Sequence, residues 1–295
     1  MATSYCGYMG RVMQIDLTTQ TVCEYPWTDR ERELFIGGKI MAAKILADHF
    51  TGTESALSEE NLIVISTGPL TGTGAPSSSR FNLSTLSPQT GFISSSNCGG
   101  SFGFFLKKAG YDALVIRGKC EKPTWLEIAN DSFVFHDATD LWGTKVTPCQ
   151  ELLAEKLQAA RGGRVHFGKL CIGPAGENLV KYSAVASEER AAGRTGVGAV
   201  FGWKNLKAIT VTGNKTVPIY DEAKTRSWCK KWFRYLRSHP LTGNQLPRMG
   251  TAGLVSSMQM RGMLASKNYS SGTKTLKRLT VRRWPKITTS STRGA

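Results

Sequence analysis

Apolar and polar residues alternate from Tyr8 to Tyr25, with Val12, Ile15 and Leu17 set between polar neighbours and a turn near Thr18–Thr19–Gln20, so this stretch predicts a β-hairpin. From about Asp29 to His49 the spacing changes to that of a helix. Leu34, Ile40, Met41, Ala43, Ile45 and Leu46 form an apolar face that Gly37–Gly38 interrupts. The run Asn61–Ser66 (NLIVIS) is short and apolar, as a buried strand is. Loop material follows from Gly68 to Ser79. Strand-like runs then recur at Arg80–Leu86, Gly91–Ser96, Tyr111–Gly118, Thr124–Ala129 and Ser132–His136, the last two joined by a tight turn at Asn130–Asp131. Phe102–Ala109 predicts a short helix and Pro148–Arg161 a longer one. Val165–Ile172, Val180–Ser187 and Leu206–Thr212 return to strand character. From Asp221 to Arg237 the pattern is helical, with Trp228, Trp232, Phe233 and Leu236 on one face.

Many strands, few helices and frequent hairpins predict an α+β class with a β-rich domain over residues 1–218. An incomplete start of a helical domain follows over 219–272. Residues 273–295 form a basic tail that lacks acids and periodicity, and it reads as disordered or as translated in a shifted frame.

Charge changes this picture only locally. The chain carries 38 Lys and Arg against 22 Asp and Glu, a net +16. Seven of the basic residues (Lys274, Lys277, Arg278, Arg282, Arg283, Lys286 and Arg293) lie in the tail, and removing them from 38 leaves 31 against 22, or +9. The remaining excess favours anionic ligands and argues against a nucleic-acid stripe. A basic nucleic-acid-binding protein is kept as a rival reading. The seven cysteines (Cys6, Cys23, Cys98, Cys120, Cys149, Cys171 and Cys229) are odd in number and never stand as C-x-x-C, so reduced thiols in a cytoplasmic protein are expected. No apolar run reaches the roughly 20 residues of a membrane span.

Three glycine-bearing segments carry the candidate chemistry: Gly68–Pro76 (GPLTGTGAP), Asn97–Gly103 (NCGGSFG) and Arg190–Gly198 (RAAGRTGVG). Glycine lets a backbone come close to a ligand, and bare N–H groups attract anions. Arg80, Arg190 and Arg194 flank these segments, and a planar guanidinium matches phosphate oxygens two at a time; ordinary surface arginines are the alternative. Asn97 offers a hard oxygen suited to Mg²⁺, or is a turn residue before glycine. Cys98 reads as packing. A phosphate loop at Gly38–Lys39 fails because Glu33 holds the position that needs glycine, and the third segment has G-x-x-G-x-G order rather than the dinucleotide fingerprint. The four histidines show no ligand spacing. The residues alone therefore give a β-rich protein with anion-binding loops.

Several blocks in one order resemble the amino-terminal part of the aldehyde:ferredoxin oxidoreductase family. They are GRVMQIDLTT from Gly10, GPLTGTGAP from Gly68, RFN from Arg80, SPQTGFI from Ser87, NCGGSFG from Asn97, AGYDA from Ala109, LWG from Leu141, IGPAGENLV from Ile172, RAAGRTGVGAV from Arg190, NLKAI from Asn205, VPI from Val217 and LPRMGTA from Leu246. The resemblance spans about Tyr8 to Gly272. It implies paired sheets that form a base for a bis-pterin tungsten cofactor, or molybdenum in some relatives, with the metal held by dithiolene sulfurs. It further implies Mg²⁺ bridging the pterin phosphates, with Asn97 and the Ala191 backbone carbonyl as its protein ligands. Arg80, Gly99, Arg190, Ala191, Gly193 and Arg194 align with pterin or phosphate contacts.

The family's [4Fe-4S] cysteines stand beyond the point this chain reaches, and no such run exists in it. No catalytic residue is assigned. What the resemblance implies for an intact member is oxidation of an aldehyde to a carboxylic acid with ferredoxin as acceptor. For this chain alone it implies an inactive fragment or a partial subunit, with a homodimer or a separate downstream subunit as its partner.

Overall fold

The computed structural model describes residues 3–265, so the basic tail and the end of the helical stretch before it lie outside the described residues. The chain divides into two compact units, one ending at Arg226 and the other starting at Ser227.

The first unit is built on two six-stranded sheets. One holds β1 (Val12–Asp16), β2 (Thr21–Glu24), β3 (Ile63–Thr67), β4 (Phe81–Leu86), β5 (Ile93–Cys98) and β6 (Ala113–Arg117), in the order β2-β1-β6-β3-β4-β5. Only β1 and β6 are parallel there. The other holds β7 (Thr124–Ala129), β8 (Ser132–Asp137), β9 (Gly168–Cys171), β10 (Val185–Ser187), β11 (Arg190–Ala192) and β12 (Leu206–Thr212), in the order β11-β10-β9-β12-β7-β8, with β7 and β12 parallel. Six helices attach to them: α1 (Asp29–Phe35), α2 (Gly38–His49), α3 (Phe102–Ala109), α4 (Val146–Arg161), α5 (Pro174–Glu177) and α6 (Val197–Trp203).

The strand period of two decides the layering. Ile63 and Ile65 of β3 join a core that also takes Ile15, Leu83 and Ile116 from the first sheet and Leu126, Leu170 and Ile209 from the second. Val64, between them in sequence, points the other way and packs with Val12 and Val115 under Met41, Ile45 and Leu46 of α2. On the far side, Cys149, Leu153 and Leu157 of α4 cover Trp125, Cys171 and Ala208. The result is helix, sheet, sheet, helix. β3 and β12 are covered on both faces, which is why their sequences IVIST and LKAITVT are buried throughout.

Four expectations need correction. The single helix over Asp29–His49 is two helices. The first is opened by a capping box between Thr28 and Glu31. The chain then breaks at Ile36, with φ of 55°, and at Gly37, where a Cβ would lie 2.6 Å from the Thr67 carbonyl oxygen. The strand expected over Val180–Ser187 shortens to β10, because Val180 and Ser183 are tied into turns by bonds to the carbonyls of Ala175 and Val180. The third glycine segment is not all loop: it begins as β11 and ends as the first turn of α6. The short helix α5 went unforeseen.

α7 (Glu222–Ser238) crosses the boundary between the units, and Trp228, Trp232 and Phe233 on it are exposed. In the second unit a π-helical turn at Pro240–Gln245 leads to α8 (Leu246–Met249), a 3-10 turn at Gly250–Leu254 and α9 (Val255–Met260).

A buried ion pair fastens the amino-terminal segment to the first sheet. Lys107 Nζ bonds Asp112 and donates to the Gly7 carbonyl at 2.9 Å, while Asp112 accepts from the Met9 and Gly10 amides at 3.0 and 2.8 Å. Lys107 is fully buried, and burial pushes its ammonium pKa below the usual range while Asp112 opposes that shift. Asp112→Ala would leave the buried ammonium without its carboxylate and two amides without an acceptor, so it is expected to cost about 3–5 kcal/mol in urea unfolding. Replacing both partners, as in Lys107→Met with Asp112→Ala, is expected to cost less than Asp112→Ala alone.

Candidate functional site

β5 is the outer strand of the first sheet and β11 that of the second, and the two edges lie against each other. Two hydroxyls cross the seam. Ser96 Oγ of β5 accepts the Arg194 amide at 3.1 Å. Ser87 Oγ donates to the Thr195 carbonyl at 2.7 Å. The first also brings Arg194 beside Asn97, whose side chain is exposed at the end of β5.

β10 and β11 form a hairpin over the two-residue turn Glu188–Glu189, with Ser187 opposite Arg190 and Ala186 opposite Ala191. Residues flanking a two-residue turn exchange both hydrogen bonds, so the next pair is non-bonded and the Ala191 carbonyl faces away from β10. Arg190 lies over the second glycine segment: a Cβ on Gly99 would meet its Cγ at 3.6 Å. Arg80 arrives from the other side, because Phe81 is registered opposite Cys98. The Cys98 thiol reports both guanidinium groups. Burial pushes it up to about 11, while Arg80 and Arg190 pull against that shift. Cys98 itself is buried, in keeping with a packing role.

The structure thus gathers Arg80, Asn97, Gly99, Arg190 and Arg194 at one seam, with Ala191 and Gly193 on the same hairpin. Arg80, Asn97, Arg190, Ala191, Gly193 and Arg194 are all exposed there. The first glycine segment contributes differently from the other two. Its Gly72 turns inward, where a Cβ would meet Val217 at 2.8 Å, and Thr71 Oγ1 folds the loop back onto the Ser78 carbonyl at 2.9 Å. It reaches the seam only at its exit, through Arg80.

Further side chains at the seam had no signal in the sequence pattern. Glu188, at φ of 55°, accepts a hydrogen bond from Ser101, joining the hairpin turn to the second glycine segment. Gln150 Nε2 of α4 donates to the Glu188 carbonyl at 3.2 Å. These partners are tens of residues apart, and each is an ordinary surface type by composition.

Chemically, the seam offers three guanidinium groups, unpaired edge backbone and an amide oxygen. That set suits a ligand with several anionic oxygens and a hard divalent cation between them.

Comparison with known proteins agrees in one direction. The family model for the N-terminal domain of aldehyde ferredoxin oxidoreductase matches residues 12–213. The tungsten-containing aldehyde ferredoxin oxidoreductase of Pyrococcus furiosus is 41% identical over 267 residues, covering 90% of this chain and 43% of that protein. The WOR-like subunit of an aliphatic sulfonate oxidoreductase from the same organism is 33% identical over 245 residues, covering 79% and 39%. Among solved structures, the active-site complex BamBC of benzoyl coenzyme A reductase, in complex with 1,5-dienoyl-CoA, superposes with a TM-score of 0.76 at 33% identity, over 82% of this chain and 36% of that one. The chain spans less than half the length of the relatives it matches.

The seam makes a direct prediction. Ser96→Ala removes the acceptor of the Arg194 amide, a bond of about 1 kcal/mol, so hydrogen exchange at Arg194 is expected to quicken roughly five-fold. Amides of the buried β3 ladder should be unchanged.

Proposed function

The chain belongs to the aldehyde ferredoxin oxidoreductase family, and from that membership we propose that the β5–β11 seam seats a bis-pterin cofactor of tungsten or molybdenum through its phosphates. The observation that carries this reading is the meeting of Arg80, Asn97 and the Arg190–Arg194 turn at two adjoining sheet edges.

The residues fit such a group. Arg80, Arg190 and Arg194 supply charge-assisted donors for phosphate and pterin oxygens. Gly99 and Gly193 let the ligand approach the main chain; a Cβ on Gly193 would meet no atom within 4 Å, so the space in front of it is open. Asn97 and the outward Ala191 carbonyl would hold Mg²⁺ between phosphates. Among the described residues no three His, Cys, Asp or Glu side chains group as metal ligands.

When bound, the group supplies two-electron oxidation of an aldehyde to a carboxylic acid, with ferredoxin as the acceptor of the whole enzyme. The part this chain plays is placement. Its arginines fix the cofactor's anionic ends, and the Ser96, Ser87 and Glu188 bonds hold the arginine-bearing turn still while they do so. Substrate enclosure and a [4Fe-4S] cluster would come from residues other than these, in a longer polypeptide or a separate downstream chain. The aliphatic sulfonate relative leaves the carbonyl substrate open. Among the described residues no helix is long and apolar enough to cross a membrane.

The test is elemental analysis of the purified chain for tungsten, molybdenum and magnesium, together with fluorescence of released pterin. Retained metal and pterin are expected. Arg190→Ala and Arg194→Ala each remove bonds of about 1.5–3 kcal/mol, so each is expected to weaken retention roughly ten- to a hundred-fold. A folded chain that carries neither metal nor pterin would overturn the reading and leave a remnant without a cofactor.

A further inference from the structure

All seven cysteines carry free thiols, and two of them meet. Cys149 sits in the second turn of α4 and Cys171 ends β9. Both side chains belong to one core cluster beneath α4, where both are fully buried. The Cys171 thiol also lies 3.9 Å from the Val146 carbonyl, one turn earlier in the same helix. On the next segment, a Cβ on Gly173 would sit 3.3 Å from Val146 Cγ2, so the start of α4 rests on the end of β9.

The surroundings favour thiolate at one partner. The neighbouring Cys171 lowers the Cys149 thiol against the opposing effect of burial, and the Lys207 ammonium helps. Cys171 is displaced upward by its neighbour and by burial. Such a contrast between adjoining thiols separates the roles of attacking and resolving sulfur. The place is close to the surface despite the burial: Lys145, Thr147 and Pro148, which open α4, are exposed.

The pair also stands directly behind the β10–β11 hairpin. Cys171 is registered opposite Ala186 of β10, and Gln150, the neighbour of Cys149, holds the Glu188 carbonyl in the hairpin turn.

We propose that Cys149 and Cys171 form a redox pair that closes to an intramolecular disulfide when a hydroperoxide reaches the first turn of α4, bracing that helix to the sheet behind the hairpin. The Cys149 thiolate attacks a peroxide oxygen and breaks the O–O bond, giving a sulfenic acid and releasing hydroxide. The Cys171 sulfur then attacks the sulfenic sulfur and expels a second hydroxide. The two thiol protons neutralise these, so two thiols and one hydrogen peroxide yield one disulfide and two waters. This inference does not depend on cofactor binding.

The experiment treats the native chain with hydrogen peroxide, then denatures it, alkylates free thiols with iodoacetamide and digests it with trypsin. Cleavage separates the two cysteines onto the peptides Val146–Lys156 and Leu170–Lys181. The expected result is a linked pair of these peptides, two hydrogens lighter than their sum and released by dithiothreitol. Cys98 and Cys120 are buried thiols that burial pushes up, and they should remain alkylated as internal controls. In Cys171→Ser, Cys149 is expected to stop at a sulfenic acid that dimedone traps. Recovery of Cys149 and Cys171 alkylated to the same extent as Cys98 would overturn the proposal, and so would over-oxidised Cys149 beside alkylated Cys171. The wild-type measurement stands even if the variant fails to fold.

Discussion

Two serine hydroxyls, on Ser87 and Ser96, tie the edge of one sheet to the edge of the other, and the candidate site lies along that seam. An outer strand leaves a row of unpaired amides and carbonyls, which proteins usually cover or interrupt. In this chain β5 and β11 face across a seam without joining into one sheet, and side-chain hydroxyls reach the partner's backbone instead. Backbone groups beside the seam are thereby left available, and the arginines are presented at its rim. Had β5 and β11 paired as strands, the same amides and carbonyls would have been consumed in the ladder.

The interior explains why net charge is a poor guide to this surface. Among the described residues three lysines are fully buried and spend their charge on the protein itself. Lys107 answers Asp112 and the Gly7 carbonyl, Lys207 answers Glu177 and the Thr144 carbonyl, and Lys204 donates to Gly118 at 2.8 Å with Ser58 and Glu59 close by. Burial lowers Lys204 to about 8. The basic excess left after setting the tail aside is therefore partly structural. What favours anions at the seam is the local placement of Arg80, Arg190 and Arg194 rather than the field of the whole chain.

The central strands were legible because they are covered on both faces, so β3, β6 and β12 carry runs of apolar and β-branched residues without strict alternation. The β1–β2 and β7–β8 hairpins were legible from their turns. The break at Ile36–Gly37 was visible only as a weakness, since what requires glycine at position 37 is the close Thr67 carbonyl of a distant strand. β11 and α6 were hidden for a different reason. Their segment, RAAGRTGVG, is so rich in glycine that local propensity points to loop, and it is pairing with β10 and packing under the sheets that override it. At the site, Arg80, Asn97 and the Arg190–Arg194 turn could be named from residue type and resemblance. Ser96 and Glu188 could not, because a contact between residues about ninety positions apart leaves no trace in spacing.

The glycines at the seam divide by what demands them. Gly100 has φ of 97° and a Cβ there would lie 2.8 Å from Ser187 Oγ; Gly196 has φ of 76° and a Cβ would lie 1.9 Å from the Lys181 carbonyl. The protein's own conformation and packing require both. Gly99 and Gly193 have neither feature: their φ values lie outside the left-handed region, Gly99 has only ordinary contact with Arg190, and Gly193 faces open space. A side chain at these two positions would fit this chain as it stands. Their remaining physical use is to let something outside the chain come against the backbone, and both lie beside the guanidinium groups that would meet it. The two positions that packing leaves unexplained are thus two that a close-lying cofactor would need kept bare.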